Sequence, residues 1–329
     1  MILPRRQFLR LAASAAALPA VSRIARAQTF PTRPITLIVP FAAGGSNDTI
    51  ARILAERMRA PLGRPIVIDN VGGATGSIGV GRVARAAPDG YTIDLGGFSS
   101  HVLNGAVLTL PYDLAKDFEP IALVATSPQL IVAKKTMPAR DLREFIDWLK
   151  ANPDKASQAT SGPGGVSHVT GALFQKETGT RFQFVPYRGG NLMMQDLMAG
   201  HIDFLIDLAV NALPHVRAGG IKAYAVTAKS RLASAPEIPT VDETGLPGFY
   251  TSTWFALWAP ARTPKDIIGK LNAAAVETLT DPAVRRRLAE LGQELPLREQ
   301  QTPEALGALH KADIAKWWPI IKEANIKAE

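Results

Sequence analysis

Between Ile35 and Leu54 the chain changes physical character twice, ITLIVPFAAGGSNDTIARIL. Ile35 to Val39 is a short β-branched apolar run closed by Pro40, the pattern of a strand covered on both faces of a parallel sheet. From Asn47 the period becomes helical: Ile50, Ile53, Leu54 and Met58 share one stripe, with Arg52, Glu56 and Arg57 on other faces. The intervening Phe41-Ala42-Ala43-Gly44-Gly45-Ser46 exposes backbone, and its two glycines permit a positive φ and the close approach of a ligand. Ser46 or Asn47 is expected to cap the helix and leave N–H groups pointing outward, where an anion is favoured.

The arrangement recurs. Ile66 to Ile68 leads through Val71-Gly72-Gly73-Ala74-Thr75-Gly76 into a helix from about Ser77. Ser161-Gly162-Pro163-Gly164-Gly165 leads into another near Ser167, with Val169, Leu173 and Phe174 as its buried stripe. A single glycine turn is equally well read as a tight connection that binds nothing. Three helix N-termini behind side-chain-poor loops suit a protein that holds carboxylate or phosphate through main-chain donors.

The rest of the chain continues the alternation. A strand is expected at Tyr91 to Leu95, ending in Gly96-Gly97-Phe98-Ser99-Ser100-His101, and extended segments at Glu119 to Ala125 and Leu130 to Ala133. Thr126-Ser127-Pro128 between them reads as a crossing between domains. An amphipathic helix over Asp141 to Lys150 opens a second α/β unit, with strands at Phe182 to Val185, Ile202 to Ile206 and Ile221 to Val226 and helices at about 191–199 and 209–217. Thr251 to Pro260, rich in aromatics, is expected to lead back into the first domain, followed by helices at about 264–280, 282–291 and 302–325. The boundaries that follow are 28–128 plus 251–329 for a discontinuous first domain and 129–250 for the second.

The formal charge of +8 hints at a polyanion partner, but five arginines lie in the first 27 residues, which contain no acid. The remainder carries only +3, so no nucleic-acid partner is expected. Those first 27 residues read as an export signal: a basic start, an apolar middle from Leu11 to Val21, and Ala25-Arg26-Ala27 as a small-x-small cleavage site before Gln28. Pro4-Arg5-Arg6-Gln7-Phe8-Leu9-Arg10 resembles a twin-arginine signal, with proline where serine or threonine usually stands. The expected location is the periplasm.

Catalytic motifs fare poorly. With no cysteine there is no thiol chemistry, disulfide or thiolate metal site, and His101, His168, His201, His215 and His310 show no tight ligand spacing, so neither a metal nor a cofactor is expected. The glycine loops lack the lysine of a phosphate-binding P-loop. Gly79-Val80-Gly81-Arg82-Val83-Ala84 satisfies G-x-G-x-x-A but is expected inside a helix. Ser167 and His168 are adjacent, and helical neighbours point about 100° apart, so they form no nucleophile–base pair unaided. Asp48 is explained by the helix dipole; Asp207, taken to end a buried strand where sheet ligands sit, could face a pocket.

Taken together, Pro31-x-Arg33-Pro34-Ile35, Val39 to Asp48, Pro88-Asp89-Gly90-Tyr91-Thr92, Leu110-Pro111-Tyr112-Asp113, Pro186-Tyr187-Arg188-Gly189 and Gly200-His201-Ile202-Asp203 resemble the Bug receptors. These are the solute-binding proteins of tripartite tricarboxylate transporters. The likeness continues through Ala235-Pro236-Glu237-Ile238-Pro239-Thr240, Pro260-Ala261-x-Thr263-Pro264 and Lys270-Leu271-Asn272. It implies an α/β fold of the two-domain type II periplasmic-binding (Venus flytrap) class whose loops grip one carboxylate. Carried over position by position, it implies ligand contacts from Phe41, Ala42, Gly44, Gly45 and Asp48, from Ser99, and from Ser167, His168 and Asp207. Ser46 and Ser161, in two of the glycine loops, complete the expected set. Where the family usually reads Asn-Arg-Pro-Gly, this chain has Asn70-Val71-Gly72-Gly73, losing a charge and a rigid proline.

The expectation is a non-catalytic, monomeric receptor for a small organic carboxylate, working with membrane transporter subunits. A periplasmic enzyme using Asp207 or His168 as acid or base, and a ligand-sensing module, are the alternatives.

Overall fold

Ile35–Val39 forms β1, with Ile35, Leu37, Ile38 and Val39 wholly buried. It pairs in parallel with β2 (Ile66–Asn70) on one side and β3 (Thr92–Gly97) on the other. Between β1 and β2 runs α1 (Ser46–Leu62), which turns Ile50, Ile53, Leu54 and Met58 inward and stops at Gly63, whose left-handed backbone returns its N–H to the carbonyls of Arg59 and Ala60. Between β2 and β3 runs α2 (Ser77–Ala84), and the G-x-G-x-x-A run lies inside it, as expected. β3 ends in one π-turn, Ser99–Leu103, followed by the short α3 (Asn104–Val107). This computed structural model describes residues 30–162, 164–187 and 190–327. The chain divides into the units Met1–Thr32 and Arg33–Glu329; the expected export signal lies outside the described residues, and the fold belongs to the second unit.

The two extended segments expected around Thr126-Ser127-Pro128 are one continuous strand, β4 (Phe118–Lys134). Its first part, to Pro128, pairs antiparallel with β9 (Ser252–Pro260), which in turn pairs with β3. From Gln129 onward its partners are β7 (Phe204–Leu208) and β8 (Ile221–Val226). Pro128, which has no N–H to give, stands at the position where the partners change, so the strand carries on without a wasted ladder bond. One strand is thereby shared by two sheets, β2-β1-β3-β9-β4 and β8-β4-β7-β5-β6, the last two being β5 (Ser157–Thr160) and β6 (Gln183–Pro186).

The second sheet is covered by α4 (Leu142–Ala151), capped by the Asp141 carboxylate on the Glu144 N–H, by α5 (Val166–Thr178), α6 (Gly190–Ala199) and α7 (Ala209–Arg217). Its core clusters are built around Phe145, Phe174 and Phe204 on one side, and around Leu197, Leu205 and Leu213 on the other. β7 begins two residues later than expected, because His201 and Ile202 both give their N–H groups to the Asp196 carbonyl and finish the turn after α6. After β9 the chain is helical: α8 (Lys265–Thr280), α9 (Pro282–Glu290) and α10 (Pro303–Glu323). Trp254, Trp258 and Trp317 join Phe98, Phe118 and Leu306 in the core of the first sheet, and Val169 of α5 reaches into the same cluster.

Candidate functional site

The first glycine loop is held from beneath by Asp48. This buried carboxylate accepts from the Gly44 N–H at 2.8 Å and from Arg52 Nε at 2.9 Å, while its second oxygen accepts from Asn70 Nδ2 at 3.1 Å. Asn70 Nδ2 also reaches the Phe41 carbonyl at 3.2 Å. The Arg52 guanidinium beside Asp48 holds its carboxyl below the usual carboxylate range. Gly44 needs its freedom, with φ at +85°.

Contrary to expectation, neither Ser46 nor Asn47 caps α1. The N-cap is Gly45, which has no side chain to offer, and the first helical bond runs from the Thr49 N–H to the Gly45 carbonyl. The helix therefore leaves the N–H groups of Ser46, Asn47 and Asp48 without an acceptor of its own making.

This loop forms one wall of a cleft of about 740 Å³. Phe41, Ala42, Gly44, Gly45 and Ser46 all line it, together with Ala43, Asn47, Thr49 and Ile50. The facing wall is Leu192 of α6 with Val210 and Asn211 in the first turn of α7, and the segment after α9 adds Leu291 and Gln293. Two helix beginnings, α1 and α7, thus border one space. Among the described residues that line it, no side chain carries a formal charge.

Asp207 lies inside β7 rather than at its end, and it is 6% exposed. One of its oxygens accepts from the Leu208 N–H at 2.8 Å, and both stand 3.3 Å from Asn211 Nδ2. Burial pushes its carboxyl up to about 6, against the pull of those two donors. Its reach to the cleft runs through Asn211.

The remaining expected residues lie elsewhere. Ser99 stands half-buried in the π-turn. Ser167 is buried, its Oγ accepting from the Ser161 N–H at 2.9 Å and sharing a hydrogen bond with the Ser161 hydroxyl at 3.2 Å. His168 accepts from the Gly164 N–H at 3.3 Å, its ring centre 4.5 Å from that of Phe184, and lines a separate depression of about 430 Å³ with Lys176 and Glu323. Burial holds its imidazole below the usual range and so uncharged at neutral pH. The second glycine loop packs on the first: a Cβ at Gly72 would stand 3.2 Å from the Ala42 nitrogen, and one at Gly76 3.2 Å from the Phe41 ring.

Leu192, Asn211, Leu291 and Gln293 were not expected from the sequence. Asn211 carried a usable signal, four residues beyond Asp207 at the start of a helix; Leu291 and Gln293 carried none. Among the described residues no group of three or more histidines and acids could hold a metal ion, and no helix is long and apolar enough to cross a membrane.

Two α/β domains sharing one strand, with a cleft walled by both and bordered by helix beginnings, define a solute-binding protein of the Venus flytrap class. Solved structures agree. MatC of Rhodopseudomonas palustris, with bound malate, is 39% identical, with 89% of this chain and 100% of that one covered and a TM-score of 0.80. The periplasmic binding protein BugD is 37% identical over 91% of this chain and 100% of its own, at 0.80, and a further R. palustris protein, with adipate, is 34% identical over 91% and 99%, at 0.82. Residues 50–326 match the family described as the tripartite tricarboxylate transporter family receptor, and the chain belongs to that family.

Proposed function

We infer that this protein is a periplasmic, non-catalytic receptor that captures a small organic carboxylate in the cleft between the Phe41–Asn47 loop and the first turn of α7. The carrying observation is the loop itself. Asp48 and Asn70 brace it from below while the N–H groups at the start of α1 remain without helical acceptors. In a cleft whose described walls carry no formal charge, those donors and the helix dipole are what meets the anion. That two structural relatives hold malate and adipate supports the same ligand chemistry. The first 27 residues serve as the export signal, by the twin-arginine route, and the closed, loaded monomer delivers its ligand to the membrane subunits of a tripartite transporter. The domains are 28–128 with 251–329, and 129–250. Asp48 and Asp207 act on the ligand through Gly44 and Asn211, which they hold, while Ser99, Ser161, Ser167 and His168, expected as direct contacts, lie outside the lining of this cleft.

A thermal-shift panel of mono-, di- and tricarboxylates on residues 28–329, with product analysis of each hit, tests the reading. A ligand at 100 times its dissociation constant adds about 2.7 kcal/mol, a shift of several degrees at this size. Gly45→Val is the matched control. Gly45 has an extended backbone, φ −81°, and a Cβ there meets nothing nearer than the Ala42 carbonyl at 3.7 Å, so the first carbon of a side chain fits, at the cost of a poorer N-cap for α1. Loss of the shift in a variant that still melts cooperatively, its basal melting temperature lowered by no more than a few degrees, is the expected result. Full affinity in the variant rejects the main-chain donors, and a consumed ligand turns the reading to an enzyme.

A further inference from the structure

Gln293 is 4% exposed and lines the cleft, yet its side-chain oxygen has no partner among the described residues. Its amide nitrogen is held weakly, at 3.3 Å from both the Ser127 hydroxyl and the Leu291 carbonyl. A buried carbonyl oxygen without a donor is rare in a folded protein and marks a place where a partner is missing. Asn211 offers a second acceptor. The Asp207 carboxylate can only accept, so it fixes the Asn211 amide with Nδ2 toward itself. The Asn211 oxygen is then the atom turned away.

The cleft is thus polarised. Main-chain donors gather at the start of α1, and carboxamide acceptors stand on the α7 side and on the segment after α9. A plain carboxylate satisfies the first set and leaves the second bare.

Resting on the carboxylate reading above, we propose that Gln293, with Asn211, is the specificity-determining pair of the cleft. The ligand class it selects is a carboxylate that also carries a hydrogen-bond donor, a hydroxyl or an ammonium, over the same carbon skeleton without one. With the Gln293 nitrogen on Ser127 and the Leu291 carbonyl, its oxygen is the end turned away from them, and the broad last dihedral of a glutamine lets that oxygen swing to a donor in the cleft. Ser127 lies in β4, where the strand passes from one sheet to the other. The residue that reads the donor therefore also touches the crossing strand.

Calorimetric titration of the full mature chain with pairs that differ by one donor tests this. The pairs are malate against succinate, lactate against propionate, and aspartate against succinate. The donor-bearing member binds about tenfold or more tightly. In Gln293→Met, which keeps the length of the side chain and loses the acceptor, the ratio of the two dissociation constants collapses toward one; Asn211→Leu is the second variant should the first fail to fold. Preference for malate identifies the donor as O–H, and preference for aspartate over succinate identifies it as N–H. Equal affinity within every pair in the unmodified protein, or an unchanged ratio in both variants, overturns the assignment. Absence of binding by every acid tested removes the carboxylate reading and this one with it.

Discussion

Asp48 and Asp207 show how two acids of one chain take opposite characters from their surroundings. Asp48 is braced by a guanidinium and two amide donors and stays ionised. Asp207 has only the Leu208 N–H and the Asn211 amide, and burial lifts it to about 6. A carboxyl whose folded pKa exceeds its unfolded value of about 3.9 binds more protons in the folded state. The stability it contributes is complete below about pH 4 and lost as pH rises toward 6. Asp207→Asn removes that dependence. Urea unfolding should show the unmodified protein gaining on the variant by up to about 3 kcal/mol between pH 7 and pH 4. A constant difference across that range would place the Asp207 carboxyl at an ordinary pKa. The sequence singles out Asp207 by its place beside a buried strand, but its hold on Asn211 depends on where β7 starts, and that is set by the turn closed on the Asp196 carbonyl.

Glycine serves two opposite purposes in the elements around the cleft, and their sequences look alike. At Gly45 it leaves space open for a ligand; at Gly97 it allows β3 and β9 to meet, since a Cβ there would sit 2.3 Å from the Trp254 carbonyl oxygen. Gly97→Ala is therefore expected to cost about 2–4 kcal/mol in denaturant unfolding, because backbone must move. A loss below about 1 kcal/mol would mean that the β3–β9 pairing is slack. Strand and helix periodicity was legible: β8 and α7 fall at the residues expected, and α8 to α10 to within a residue or two. The second glycine loop was read by the same rule as the first, and its role in packing became visible only in three dimensions. Gln293 was invisible for a related reason. It stands some 250 residues from the loop it faces, on a short segment with no period of its own.

Across the whole molecule, the cleft walls are joined by few connections. β4 passes through at Pro128 and Gln129, β9 begins at Ser252, and the segment after α9 is tied to β4 by paired hydrogen bonds between Thr126 and Glu294, at 2.9 and 2.8 Å. Closure about this joint has to pivot on the packed contact between the halves, where Val169 of α5 sits in the core of the first sheet, and a ligand bound from both walls favours the closed form by its differential affinity. Small-angle scattering should record a fall in radius of gyration when a carboxylate that raises the melting temperature is added, and none in Gly45→Val. An unchanged radius on saturation would make the cleft a rigid pocket. The continuity of β4 carries one more consequence. Because a single strand closes the edge of the first sheet and runs inside the second, neither half can be lifted out and replaced by its counterpart from a relative without leaving the other sheet one strand short. New specificities in a fold joined this way have to arise by changing side chains in place, not by exchanging modules.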